Sequence, residues 1–292
     1  MGNLPKDMLQ KYRKSSYRDI AVHVIIPLLA EFFTMVLHTF WGSMYTSTTK
    51  TITVASLNRT IHPDEWKVEY LTSTLVPAFQ AGFAVWMFIV LFWKICVINF
   101  NPAISTCLLI SGDLNPWLYF PYIIMQILGS ALGAVIAQAI KNDDPGPFLI
   151  SDDANISAII AYEIMATGIM CFFTNVMVGD KSYDQATGAF AIGMTVFQGI
   201  IGGRWIGAGC LNAARAIGPA IVMGGYVWKH HWVWWVGDIL GGVVFALIYR
   251  AFFAPPDKVW IVQIGKFFCK SNKAGGRRRT SREEVTLGEN KM

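Results

Sequence analysis

Gly209-Cys210-Leu211-Asn212-Ala213-Ala214-Arg215-Ala216-Ile217-Gly218-Pro219-Ala220 is echoed earlier in the chain by Phe100-Asn101-Pro102-Ala103-Ile104-Ser105. In each, an asparagine able to cap a helix opens an apolar run of about ten residues, where a bilayer crossing needs about twenty. A helix that starts at membrane depth leaves its first backbone N–H groups without intrahelical partners. That is tolerated only against other protein or beside a wet cavity. Two such half-helices in one apolar chain imply a pore.

The rest of the chain has the composition such a pore requires. Of 292 residues, 54% are hydrophobic and 15% charged, against about 25% charged in soluble domains, so the chain reads as an integral membrane protein. Apolar spans are expected at about 20–42, 74–98, 117–140, 157–178, 186–203 and 231–253, with half-helices at 101–111 and 212–223 after the second and fifth spans. The order is three spans plus a half-helix, given twice. Glu31 and Glu163 occupy corresponding first spans of the two halves. An odd number of spans per half inverts the second copy, as in other membrane proteins built around a midplane site. The expected units are a basic N-terminus over 1–19, a first repeat over 20–140, a linker over 141–156, a second repeat over 157–253 and a basic tail over 254–292.

The net charge of +5 sits largely at the two ends, from Lys6 to Arg18 and from Lys266 to Arg282, which places both termini in the cytoplasm. The loop over 43–73 and the acidic linker then lie outside. They carry the glycosylation patterns Asn58-Arg59-Thr60 and Asn155-Ile156-Ser157. Past residue 271 the tail has little apolar content and is expected to be disordered. Its Arg277-Arg278-Arg279-Thr280-Ser281 has the form of a basic kinase substrate, with Thr280 and Ser281 as acceptors, although positive charge against anionic lipid is the simpler reading. The five cysteines show no paired motif and the five histidines no ligand spacing, so reduced cysteines, no metal and no cofactor are expected. Buried Glu31 and Glu163 require hydrogen-bond partners. Asp238 reads as a snorkelling or capping residue near the membrane edge, with pairing to His230 or His231 as the alternative. Gly129, Gly133, Gly188, Gly193, Gly241 and Gly242 are expected to permit close span packing, and the tryptophans to form interfacial belts. No Gly-x-Ser-x-Gly, His-Glu-x-x-His or paired catalytic carboxylates are present, which argues against an enzyme.

Asn101-Pro102-Ala103 and Asn212-Ala213-Ala214-Arg215 resemble the paired Asn-Pro-Ala boxes of the aquaporin, or major intrinsic protein, family. The second departs by Ala213 where proline is usual. The likeness continues through Gly202-Gly203-Arg204, Gly218-Pro219-Ala220 and His231-Trp232-Val233-Trp234-Trp235-Val236-Gly237. It implies a right-handed bundle of six spans and two re-entrant half-helices, one pore per chain, a homotetramer, and residence in the plasma membrane rather than an intracellular one. It also implies that Glu31 and Glu163 hold the loop backbones leading into the half-helices, exposing carbonyls to the water file.

The boxes carry their own physics. Two half-helix N-termini, each worth about half a positive charge, meet at one point beside the amides of Asn101 and Asn212. A passing water accepts from both amides, and a cation meets a repulsive field. Proline at the first helical position is preorganised, so Ala213 gives up a modest advantage while keeping the asparagine's role. Arg215, one turn further on, is a functional candidate by default, because a guanidinium at membrane depth is expensive.

The family likeness places Arg215 in a narrow outer filter. Counting without gaps from the two asparagines puts the other filter positions at Ala81, Ile200 and Gly209; a one-residue gap would move the first to Gln80 or Gly82. A wide and largely apolar filter follows. Against it, Ala216 in place of an acidic residue after the arginine, Ala220, and Trp234-Trp235 resemble water channels. The reading is a passive channel for water, with glycerol and urea as further solutes, contacts with membrane lipid, and no nucleic-acid partner. The rivals are a closed, gated or junctional protein of the same fold and an alternating-access transporter of small solutes.

Overall fold

The computed structural model describes residues 20–45, 74–179 and 184–263. Among them there is no strand. The α-helices that lie wholly within the described residues run in order: α1 (Ile26–Met44), α2 (Val76–Phe92), α3 (Pro102–Ser111), α4 (Pro116–Lys141), α5 (Ile156–Gly179), α6 (Gln185–Gly203), α7 (Ala213–Met223) and α8 (Trp232–Ile248). Single π-helical turns precede α1 (Ala21–Ile25) and follow α8 (Tyr249–Phe253).

Five segments are long and apolar enough to cross a membrane: Ala21–Met44, Pro116–Lys141, Ile156–Gly179, Gln185–Ile206 and Gly225–Phe253. The second expected span is shorter than its sequence suggested, because α2 has 17 residues and stops at Phe92 rather than 98. At about 1.5 Å per residue it is some 26 Å long, near the lower limit for a crossing. Its end is set by tertiary structure. Glu31 on α1 accepts the backbone N–H groups of Asn99 (2.6 Å) and Phe100 (2.8 Å), holding the following chain out of helical register.

The two halves repeat one packing plan. Helix α1 packs on α4 and α5 on α8, α2 meets α6 across the middle, and each half-helix lies on the last helix of the other half, α3 on α8 and α7 on α4. Apolar residues such as Phe33, Phe79, Leu91, Phe120 and Phe252 are exposed on the outside, whereas Glu31, Gln126, Ser130, Glu163, Thr167 and Asp238 are fully buried. Polar groups collect inside because a bilayer offers them no partners.

Small residues set how near the helices come. A Cβ at Gly129 or Gly133 would lie 2.4 Å from the carbonyl oxygen of Phe32 or Val36 on α1, and one at Gly193 would lie 2.4 Å from that of Gly82. Gly241 and Gly242 face backbone in the same way, while Gly188 faces the flexible side chain of Met177. The aromatic belt is partial. Trp41, Trp117, Trp205 and Trp232 are exposed near helix ends, but Trp234 is buried and Trp86, in mid-α2, packs edge-on against Phe83 and Phe190.

The chain beyond α8 folds back on the bundle, with Ala254 and Val259 buried against Tyr249. Arg250 donates to the Ser111 carbonyl at the end of α3 (2.8 Å), and Lys258 pairs with Asp113.

Candidate functional site

The half-helices meet N-terminus to N-terminus, and their asparagines bind across the junction. Asn101 caps α3 by accepting from Ala103 N (2.9 Å), and its Nδ2 donates to the Leu211 carbonyl (2.7 Å). Asn212 caps α7 by accepting from Arg215 N (3.1 Å), and its Nδ2 donates to the Phe100 carbonyl (2.9 Å). One hydrogen of each amide is therefore engaged by the opposite half, leaving the second for a solute. Pro102 and Ala213 open the two helices behind these caps, followed by Ala103 and Ala214, and all four are buried.

The residues presenting those carbonyls are strained in the same way. Phe100 (φ 37°) and Leu211 (φ 54°) are left-handed non-glycine residues directly before each asparagine, a conformation that costs about 1–3 kcal/mol and persists only where its surroundings impose it. Here two buried carboxylates impose it. Glu31 also accepts from Gln126 Nε2 (2.7 Å), and Glu163 accepts from the N–H groups of Gly209 (2.6 Å), Cys210 (2.9 Å) and Leu211 (3.0 Å). With their N–H groups held, the loop carbonyls face the other way.

Beside the junction lies a cavity of about 110 Å³, large enough to hold water. Asn101 and Asn212 line it together with Ala81, Ile200, Gly209 and Arg215, so all four counted filter positions share one wall system; Gln80 borders it as well. Arg215 is 5% exposed and its Nη1 has no protein partner. The guanidinium fits because position 42 is glycine: a Cβ there would stand 2.6 Å from Nε.

Several lining residues were not assigned to a pore from the sequence, Gly42, His38 and Phe148 among them. Gly42 and His38 lie one turn apart on α1, and Phe148 comes from the linker between the halves. The Phe148 ring centre is 5.1 Å from the Arg215 Cζ and packs edge-on to Trp234 at 5.9 Å. A glycine, a span histidine and a linker phenylalanine carry no local signal of a pore; only the i, i+4 relation of His38 and Gly42 hinted at a shared face.

The linker carrying Phe148 is tied at both ends. Lys141 donates to the Ser43 and Asp144 carbonyls (2.9 and 2.7 Å). Asp152 meets Lys229 at 2.5 Å and His230 at 3.4 Å. The hydrogen bond from Lys229, then that from His230, holds the Asp152 carboxyl below the usual carboxylate range.

Other residues settle differently from expectation. Asp238 is not at the membrane edge and meets no histidine: it is fully buried and accepts from Thr167 Oγ1 (3.0 Å), because residue 238 lies two turns into α8 on the side facing α5. His231 accepts instead from Trp235 (3.2 Å, through Nε2). Asn155 is exposed, and its Oδ1 caps α5 by accepting from Ala158 N (3.1 Å). Asn58, Thr280 and Ser281 lie outside the described residues. Cys96, Cys107, Cys171 and Cys210 are free thiols, and no metal-holding cluster occurs among the described residues.

The major intrinsic protein model matches residues 21–249. Aquaporin-8 of Notomys alexis is 30% identical over 188 residues, covering 62% of this chain and 71% of that protein. Aquaporin A of Dictyostelium discoideum is 35% identical over 160 residues, covering 52% and 56%. The X-ray structure of the aquaglyceroporin from Plasmodium falciparum shares the fold, with a TM-score of 0.59 and 20% identity over 77% of this chain and 95% of that one. With the paired boxes and their helical scaffold, these matches establish that the chain is an integral multi-pass membrane protein and belongs to the major intrinsic protein family.

Proposed function

We propose that this membrane channel for water or small solutes conducts water by passive diffusion through a pore within each chain, excludes protons and other ions, and also admits small neutral solutes such as glycerol and urea. The observation that carries the reading is the crossed pair of amides. Asn101 and Asn212 are each fixed by a carbonyl of the opposite half, at the junction of two positive helix ends.

A water reaching that junction accepts from the remaining amide hydrogens and turns its own hydrogens outward, so the donor order of the file reverses there. A cation has no counter-charge at this point, and Arg215 adds a full positive charge on the same cavity. Of the three carboxylates fully buried among the described residues, Glu31 and Glu163 are engaged by backbone N–H groups and Asp238 accepts from Thr167 Oγ1, which favours a fixed pore over a coupling-ion transporter.

At the cavity, Ala81 and Ile200 leave an apolar wall opposite one charged donor, an opening that suits neutral solutes slightly larger than water. Cytoplasmic termini, a homotetramer, surrounding lipid and the plasma membrane belong to the same reading, as do the glycosylation and phosphorylation acceptors.

The test is stopped-flow shrinkage of proteoliposomes under an impermeant osmolyte, then under glycerol and urea, with an Arg215→Ala variant. Fast water flux of low activation energy without proton conductance is expected, and the variant should pass glycerol several-fold faster. Flux equal to empty liposomes in folded protein would overturn the channel.

A further inference from the structure

His38 is a polar side chain of the cavity that the four counted filter positions do not include. It sits on α1, 7% exposed, on the wall of the cavity that also holds Arg215, Asn101 and Asn212. Its Nδ1 is buried without a protein partner, as is the Nη1 of Arg215.

The ring is held rather than loose. Phe100 and Phe88 pack edge-on against it at 5.5 and 6.4 Å, and they pack edge-on against each other at 6.2 Å. Phe100 is also the residue whose carbonyl fixes Asn212, so the imidazole is positioned by the backbone that builds the junction. Of the remaining walls, Ala81, Ile200 and Val196 are apolar, and Gln80 adds one further side-chain amide at the border of the cavity.

We propose that His38 is a specificity-determining residue which, with Arg215, forms a two-point polar site for small planar amides of the urea class. The inference rests on the channel reading above.

A guanidinium only donates hydrogen bonds, whereas a neutral imidazole both donates and accepts. A urea molecule accepts from Arg215 through its carbonyl and donates an N–H to the imidazole from its other end, lying flat between apolar walls. Glycerol has three hydroxyl groups along a flexible chain, which this sparse polar pattern satisfies less well. Water is small enough to pass using either group alone. His38 therefore acts on the ratio of urea to water flux more than on water flux itself.

The experiment measures urea, glycerol and water flux in proteoliposomes of wild type, His38→Phe and His38→Gln. The phenylalanine removes the hydrogen bonds and keeps an aromatic volume; the glutamine restores a donor and an acceptor. The urea-to-water ratio should fall about tenfold in His38→Phe, equivalent to ~1.4 kcal/mol, and return most of the way in His38→Gln, with the glycerol ratio little changed. An unchanged urea ratio in both folded variants, or equal loss for urea and glycerol, would overturn the role of His38 while leaving the channel intact. Absence of water flux in the wild type would instead overturn the channel.

Discussion

Arg215 has its place because a helix neighbour has no side chain. A β-carbon on Gly42 would fall 2.6 Å from its Nε, 2.9 Å from Nη2 and 3.1 Å from Cζ, far inside van der Waals contact. In a Gly42→Ala variant the guanidinium, at the end of a flexible side chain, yields before the α1 backbone does. It then moves toward the cavity that it already lines. Water permeability of Gly42→Ala should fall several-fold while the protein remains folded, and the double variant Gly42→Ala/Arg215→Ala should recover it, as expected of two residues in direct contact. Stopped-flow traces of the four proteins decide the matter; a Gly42→Ala trace that overlays the wild type would rule out steric seating of the arginine.

Among the helices, the crossing of α2 and α6 sets the spacing of one part of the cavity wall, because Ala81 and Ile200 are neighbours of the contact itself. Gly82 and Gly193 meet backbone to backbone, with a Cβ on either lying 2.6 or 2.4 Å from the other's carbonyl oxygen. Ala81 adjoins Gly82, and Ile200 lies two turns beyond Gly193 on α6. Unlike the guanidinium beside Gly42, a backbone carbonyl cannot swing away, so the helices must part. Gly193→Ala should destabilise the fold by about 1–3 kcal/mol, the range for overpacking, and Gly82→Ala by a similar amount. Their combination should cost less than the sum, since the first substitution already opens the crossing. Thermal unfolding in detergent measures the cost, and unchanged midpoints in both single variants would exclude a close crossing. The half-helices follow a simpler rule: each begins at an asparagine cap with a small residue behind it, which is why their starts could be placed from sequence within one residue.

For the whole molecule, the linker over 142–155 connects the halves and also lines the cavity with Phe148, so its anchoring couples surface charge to the cavity. Asp152, exposed beside Lys229 and His230, has its carboxyl held below the ordinary carboxylate value of 3.8. A lowered value means that the tie is fully present above the ordinary range and is lost as pH falls below 3.8 through the lowered value. Neutral pH leaves it intact. An exposed pair is also weakened by salt, so high ionic strength should loosen it modestly. In Asp152→Asn the carboxylate is gone at every pH. The linker should be cut faster by added protease at neutral pH, and glycerol flux should rise as Phe148 loses its fixed position over Arg215. Identical cleavage rates in wild type and variant would show that the tie does not hold the linker.

The amino-acid sequence by itself determined the class of the molecule and pointed to the centre of its candidate site. Apolar runs of crossing length, two that are too short, and an asparagine at the head of each leave few other folds, because a bilayer tolerates unpaired backbone only where protein or a cavity covers it. Glu31, Glu163 and Arg215 were legible for a related reason: an ionisable side chain in an apolar run must have a purpose or a partner. Tertiary structure alone decided the early end of α2, the burial of Asp238 against Thr167, and the presence of Gly42, His38 and Phe148 at the cavity. Each depends on which face of a helix or loop meets a segment far away in the chain. A glycine, a buried histidine or a linker phenylalanine has the same local propensities whether it lines a pore or fills a core, and only the packed arrangement distinguishes the two.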